Sequence, residues 1–164
     1  MAVRNEHLVV IMLEPVEKGV EFEIWPPHIT IVPWYLSAEG QKLDNVLTKI
    51  ASGHKRFTVS AGKIEQWGKS EKFKVQLVED NGELHKLHLD VFGKLESNGF
   101  PIHQKDFLGE KYTPHFALRN RLQKGHALKT GQEIAINNFS LIKQLRLKGS
   151  GRMIKSPVKD YELL

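Results

Sequence analysis

Two short stretches decide the fold of this chain: Pro27-His28-Ile29-Thr30-Ile31 and Pro114-His115-Phe116-Ala117-Leu118. In each stretch a proline precedes a histidine, and apolar residues follow at alternate positions. Successive side chains of a β-strand point to opposite faces, so the histidine shares a face with the residue two positions later. The apolar residues between them point to the other face. The repetition therefore predicts two similar strands, each of which presents one histidine.

Between the two stretches, the sequence predicts two amphipathic helices. The first has apolar residues at i, i+3, i+4 and i+7, namely Leu43, Val46, Leu47 and Ile50, with Ser37 as its N-cap and Gly53 at its end. The second follows the turn Asp80-Asn81-Gly82, carries Leu84, Leu87, Val91 and Leu95, and ends at Asn98-Gly99. Each helix has one apolar face, which indicates packing against a sheet.

Runs of β-branched and aromatic residues predict the strands of that sheet. They are His7–Glu14, Ile29–Tyr35, a hairpin with strands from Phe57 to Trp67 and from Phe73 to Leu77 joined near Gly68 to Ser70, and a final pair from Ile134 to Leu147 and from Arg152 to Tyr161. The order of elements predicts an α+β fold over residues 1–164, with antiparallel sheet and helices packed on one side of it. No linker divides the chain, so we expect a single domain.

Composition narrows the possible chemistry. The 24 Lys and Arg residues outnumber the 19 Asp and Glu residues, which favours an anionic partner. Cysteine is absent, so thiolate nucleophiles, thiolate metal sites and disulfides are excluded. The apolar run from Leu8 to Leu13 is too short for a membrane span and lacks the features of a secretory signal. We expect a soluble, cytoplasmic monomer.

The histidine strands suit acid–base chemistry on a phosphate. An imidazole has an ordinary pKa of about 6.5, so one ring can be neutral while a second is protonated near neutral pH. Two such rings on neighbouring strands can deprotonate an attacking hydroxyl or water and protonate the leaving oxygen. The Thr30 hydroxyl, on the face of His28, can donate to a phosphate oxygen. We expect this chemistry to need no metal and no cofactor.

The two HxT-type motifs in a chain of this length resemble the two-histidine phosphoesterase superfamily, which includes the 2′-5′ RNA ligase-like proteins. The resemblance covers nearly the whole chain. It implies a bilobal, pseudo-symmetric α+β fold in which each lobe contributes one motif to a central cleft. It also implies that His28 and His115 are the catalytic pair and that Thr30 binds phosphate. Many members hydrolyse 2′,3′-cyclic phosphate ends of RNA or related nucleotide phosphodiesters.

Ala117 departs from the family pattern, because the second motif normally has Thr or Ser at that position. By analogy with other sites, the loss of one such hydrogen-bond donor lowers turnover by roughly 100- to 1000-fold. The enzyme is then either slow or uses a substitute donor. Thr113, Tyr112 and Arg119 are the candidate substitutes, and arginine offers a fork of donors suited to phosphate.

Other residues near the motifs have two interpretations. Trp25 and Tyr112, each just before a motif proline, are candidates for stacking a nucleobase, although aromatic residues in strands mostly belong to the core. His85 and His88 lie one helical turn apart and can in principle bind a metal, but packing is the commoner role. The last hairpin is rich in basic residues, which form either a surface for an RNA backbone or an ordinary solvent-exposed face. They are Lys143, Arg146, Lys148, Arg152 and Lys155.

The sequence leaves open three functions and one alternative in which the histidines have only a structural role. The first is a metal-independent phosphodiesterase acting on 2′,3′-cyclic phosphate ends of RNA or on small cyclic nucleotides. The second is an RNA- or nucleotide-binding module with weak or no catalysis, suggested by Ala117. The third is 2′-5′ ligation of RNA ends, in which a terminal hydroxyl replaces water. The alternative is an α+β domain without a phosphate site.

Overall fold

The computed structural model describes residues 2–36, 40–68, 73–102 and 108–164, with the backbone alone for 2–5 and 36. Within these ranges the chain forms eight strands, two α-helices and one short 3₁₀ turn. They are β1 (Ala2–Met12), β2 (His28–Leu36), α1 (Gly40–Ser52), β3 (Phe57–Trp67), β4 (Phe73–Glu79), α2 (Glu83–Ser97), the 3₁₀ turn (Gly109–Lys111), β5 (His115–Ala117), β6 (Glu133–Ile136), β7 (Asn138–Leu147) and β8 (Met153–Glu162). The α+β class is as the sequence predicts.

The strands form one antiparallel sheet in the order β6-β3-β4-β5-β2-β1-β7-β8. The motif strands β2 and β5 are neighbours at its centre. Each half of the sheet is a set of four strands with one motif strand at its inner edge. The two lobes expected from the sequence are therefore halves of one continuous sheet.

Both helices pack on one face of this sheet. The apolar stripes of α1 and α2 are buried there, as their spacing predicts, against Ile29, Ile31 and Phe116 of the motif strands. The Asp80 carboxylate begins α2 by accepting hydrogen bonds from the amides of Leu84 at 3.0 Å and His85 at 2.9 Å. Ser37 and Ser70 lie outside the described residues. Because the motif's apolar residues face the helices, the histidines face the opposite side of the sheet.

One sequence prediction about the C-terminal strands is wrong. The run from Ile134 to Leu147 is two strands, with a break at Asn137. β6 pairs with β3 at one edge of the sheet, whereas β7 pairs with β1 in the other half. The Asn137 carbonyl accepts the amide of Leu163, which holds the C-terminal end of the chain at this crossover. Alternation of apolar residues shows that a segment is extended, but not where it changes partner.

Candidate active site

The pairing of β2 with β5 brings the two motifs together. Ile29 pairs with Phe116 in antiparallel register. One residue to either side, His28 therefore lies across from Ala117, and Thr30 lies across from His115. The two histidines are diagonal neighbours, for which ordinary sheet geometry gives about 7–8 Å between Cα atoms. At this separation the two side chains can contact the same small group.

Both imidazoles are held in the same way. Nδ1 of His28 lies 2.9 Å from the Pro26 carbonyl oxygen, and Nδ1 of His115 lies 2.8 Å from the Thr113 carbonyl oxygen. A carbonyl oxygen only accepts hydrogen bonds, so Nδ1 of each ring must carry the proton. In the neutral ring the lone pair is then on Nε2. These two hydrogen bonds therefore orient the rings, and Nε2 of each ring can take or return a proton.

A tryptophan ring packs against each of the two histidines. Trp25 lies 4.1 Å from His28 and Trp67 lies 4.4 Å from His115, measured between ring centroids. Trp25 is only 7% exposed and also contacts Phe22. The structure therefore gives no support to the prediction that Trp25 stacks a nucleobase, because its ring is enclosed and supports His28. The sequence did not indicate Trp67, which lies two strands away from β5.

The structure also gives no support to the prediction that Tyr112 stacks a base or binds phosphate. Tyr112 is 7% exposed and belongs to the core on the helix side of the sheet. Its ring stacks on His88 at 4.0 Å with 7° between the planes, and its hydroxyl donates to the Thr30 carbonyl at 2.8 Å. Tyr112 lies three positions before His115, and period-two alternation over an odd number of positions also places it on the face opposite to the histidine. Its contact with β2 helps to position Thr30.

The other predicted phosphate ligands differ in their settings. Thr30 is partly buried, across from His115. The Thr113 hydroxyl donates to the Lys111 carbonyl at 3.2 Å, while its own carbonyl holds His115. Arg119 is exposed, two residues beyond Ala117. Their roles toward phosphate stay predictions.

Burial lowers the pKa of both histidines in the free protein. It lowers the pKa of His28 to about 4; the hydrogen bond to Pro26 opposes this effect, and the charges of His115 and Lys155 add to it. Burial also lowers the pKa of His115, opposed by its hydrogen bond to Thr113. Both rings are therefore neutral at pH 7 in the free protein. An anion between them would favour protonation of one ring.

The family model of the 2′-5′ RNA ligase superfamily matches residues 12–144, which include both histidine motifs. The chain belongs to the 2′-5′ RNA ligase superfamily. A comparison with curated protein sequences gives no match.

This chain shares its fold with several proteins of known structure. A crystal structure of a phosphoesterase has a TM-score of 0.63 at 18% identity and covers 98% of this chain and 99% of its own. E. coli LigT complexed with 3′-AMP has a TM-score of 0.61 at 17% identity, with the same coverage. A Thermus thermophilus protein, TT0787, has a TM-score of 0.64 at 13% identity and covers 96% of this chain and 97% of its own. The resemblance to two-histidine phosphoesterases is thus confirmed at the level of family and fold.

The two histidines of α2, His85 and His88, have structural roles. His88 is fully buried; its Nδ1 donates to the Ile31 carbonyl at 2.7 Å, and its Nε2 accepts the Gly109 amide at 2.9 Å. Nδ1 of His85 lies 2.9 Å from the Asp80 carboxylate. Both nitrogens of His88 are occupied by backbone groups, which argues against the metal-binding interpretation of the pair. Across the described ranges, no three His, Asp or Glu side chains are grouped to hold a metal ion.

The basic residues of the last hairpin do not all face solvent. Lys155 is only 4% exposed, and its ammonium group donates to the Glu23 carbonyl at 2.7 Å and lies 5.6 Å from the centroid of the Trp25 ring. Arg152 forms an ion pair with Glu23. Lys155 therefore supports the tryptophan that packs on His28.

None of the described helices is long and apolar enough to cross a membrane.

Proposed function

We propose that this superfamily member is a metal-independent phosphodiesterase that hydrolyses 2′,3′-cyclic phosphate ends of RNA or small cyclic nucleotides. The observation that carries the proposal is the matched pair of histidines, diagonal across β2 and β5, each with Nδ1 bonded to a backbone carbonyl. This arrangement supports a reaction in which both rings act on the same phosphate. E. coli LigT has been crystallised with 3′-AMP and with ATP, which supports a nucleotide as the ligand.

The reaction balances with two histidines and one water. The water oxygen forms a new bond to phosphorus while the bond from phosphorus to the 2′ or 3′ oxygen breaks. Nε2 of one histidine takes the proton of the water, and Nε2–H of the other histidine protonates the departing oxygen. The product is a phosphate monoester with a free neighbouring hydroxyl. A proton exchange with solvent then restores both rings.

The electrostatics favour His28 as the base and His115 as the acid. Burial and the charges of His115 and Lys155 lower the pKa of His28 to about 4, whereas burial alone lowers the pKa of His115, so we assign a single shared proton to His115. The bound phosphodiester is an anion, which stabilises that protonated ring. Thr30 lies across from His115 and supplies a hydroxyl to the phosphate. Arg119 and Thr113 are the further proposed phosphate contacts.

The test uses an oligoribonucleotide with a 2′,3′-cyclic phosphate end, incubated with the protein in excess EDTA. We expect turnover, with a loss of roughly 100- to 10,000-fold in both His28→Ala and His115→Ala. The matched control is His126→Ala, because His126 is exposed in the loop after β5. The position of the product phosphate, 2′ or 3′, identifies the bond that breaks. Full activity in either motif variant would contradict the proposal.

A second candidate is a nucleotide-binding module with weak catalysis, and the residue that favours it is Ala117. Binding of the same oligonucleotide without turnover would support this candidate. Adding an oligonucleotide with a 5′-hydroxyl end tests ligation in the same experiment, since a joined product then appears. Neither binding nor turnover would reject an RNA substrate.

A further inference from the structure

We infer that Trp67 and Phe73, at the end of the β3–β4 hairpin, form the surface on which the nucleobase of the substrate stacks. The inference rests on the proposed function, because it adds a base-binding subsite to the same cleft. It replaces the two aromatic residues that the sequence suggested, Trp25 and Tyr112, which are both enclosed.

The strand register places Trp67 on the face that carries the histidines. Glu65 of β3 pairs with Val75 of β4, and Val75 pairs with Ala117 of β5. Residues directly across an antiparallel pair share a face, so Trp67, two positions after Glu65, faces the same side as His115. Its ring spans β4 to reach His115, 4.4 Å away between centroids. A nucleotide held by His115 therefore has the indole beside it.

The Trp67 ring is fixed before any ligand arrives. Its Nε1–H donates to the Glu65 carboxylate at 2.8 Å, and the same carboxylate group forms an ion pair with Lys63 at 3.2 Å. The hydrogen bond holds the edge of the indole. A rigid aromatic ring loses little conformational entropy when a base stacks on it, which favours binding.

Phe73 extends the aromatic surface away from the histidine. It pairs directly with Trp67 across the hairpin and is 54% exposed. Gly68 has a φ of +96°, and a Cβ at that position would come 3.0 Å from Cδ2 of Phe73. The ring therefore lies close over a glycine, which leaves space for it. An exposed aromatic ring beside a phosphate site is the usual platform for stacking a base of any identity.

Arg119, one of the proposed phosphate contacts, lies at the same end of the hairpin. The Leu118 amide donates to the Lys74 carbonyl at 2.9 Å, so Arg119, the next residue, lies near Phe73. Arg119 is exposed. A substrate that stacks its base on Trp67 and Phe73 can thus present another backbone phosphate to Arg119. The expected substrate class is a nucleotide or RNA end, rather than a cyclic phosphate without a base.

The experiment compares two substrates, adenosine 2′,3′-cyclic phosphate and base-free ribose 2′,3′-cyclic phosphate. The measured quantity is kcat/KM for adenosine 2′,3′-cyclic phosphate divided by kcat/KM for the base-free substrate. It is determined for the wild-type protein, Phe73→Leu and Trp67→Leu. Since stacking contributes about 1–3 kcal/mol per base, we expect the ratio to fall by roughly 5- to 100-fold in each variant. Phe92→Leu is the control, because Phe92 packs on the helix side of the sheet.

An unchanged ratio in Phe73→Leu would overturn the inference. An equal loss on both substrates in Trp67→Leu would show that Trp67 only positions His115. If the wild-type protein hydrolyses neither substrate, the proposed activity on small cyclic nucleotides fails, and calorimetric binding of 3′-AMP and ribose 3-phosphate replaces the kinetics. Tighter binding of 3′-AMP that is lost in Phe73→Leu would then still support the subsite, and equal binding of both ligands would reject it.

Discussion

Ala117 lies directly across the β2–β5 pair from His28, the position that Thr30 occupies relative to His115. The two halves of the site are therefore alike in their histidines and unlike in their hydroxyls. A group bound between the rings meets a hydroxyl near His115 and a methyl near His28. The departure seen in the second motif is thus a missing donor at one defined corner of the site.

Ala117→Thr should raise kcat, because a hydroxyl at this position restores a donor to the phosphate beside His28. The gain is bounded by the roughly 100- to 1000-fold that one such donor contributes elsewhere. Steady-state kinetics on a 2′,3′-cyclic phosphate oligonucleotide measures it. Ala117→Val is the matched control, since valine has the shape of threonine without the hydroxyl. A rate unchanged in the threonine variant would show that Thr113 or Arg119 already supplies the donor.

Local patterns were sufficient to predict the helices and the motif strands. The apolar stripe of Leu43, Leu47 and Ile50 predicts α1, and the turn at Asp80 predicts the start of α2. Alternation around His28 predicts its face of the sheet. These features depend on residues close together in the chain, and that is why the sequence alone indicates them.

The surroundings of the histidines depend on contacts that local patterns do not contain. Trp67 reaches His115 only because the strands lie in the order β3-β4-β5. Tyr112 lies three positions before His115 and belongs with Phe116 to the core on the helix side. Proximity in sequence to a motif therefore pointed to two enclosed aromatic residues and missed Trp67. The order of the strands, rather than the spacing of residues, determines which rings surround the site.

Gly125→Ala should destabilise the protein and distort the second motif. A Cβ on Gly125 would clash with the Ala117 carbonyl oxygen, so the backbone of β5 or of the loop must shift. Overpacking of this kind costs about 1–3 kcal/mol. Urea unfolding measures the loss, and kcat falls with it because Ala117 belongs to the strand of His115.

Gly93→Ala is the control for the Gly125 variant. Gly93 lies in α2, and a Cβ there meets nothing within 4 Å. Alanine has a higher helix propensity than glycine, so this change should stabilise the protein by up to about 1 kcal/mol. Equal stabilities for the two variants would contradict the close approach of the loop to β5.

Lys155→Met should shift the acidic limb of the pH–rate profile to higher pH. The charge of Lys155 is one of the factors that lower the pKa of His28, after burial and the charge of His115. Removing the charge raises that pKa, so a higher pH is needed to deprotonate His28 for its role as base. Lys148→Met, at an exposed position in the β7–β8 turn, should keep the wild-type profile. An unchanged profile would show that Lys155 only packs against Trp25, and a shift to lower pH would contradict the predicted effect of its charge.

His7→Phe should make the protein less sensitive to acid. Burial, and then the charge of Lys143, lower the pKa of His7 to about 4, and its Nδ1 has no hydrogen-bond partner among the described residues. The unfolded chain has the ordinary pKa of about 6.5, so between pH 6.5 and 4 it binds a proton that the folded protein does not. Stability is therefore complete above pH 6.5 and falls as the pH decreases toward 4.

The measurement is the urea midpoint of unfolding of both proteins at pH 7, 5.5 and 4.5. At pH 7 the two midpoints should be close, because phenylalanine fills the space beside Tyr35 without an unpaired nitrogen. Between pH 7 and 4.5 the wild-type midpoint should fall further than that of the variant. His28 has a similarly low pKa and stays in both proteins, so the variant keeps part of the acid sensitivity. Parallel decreases in the two midpoints would mean that His7 takes up its proton equally in the folded and unfolded states.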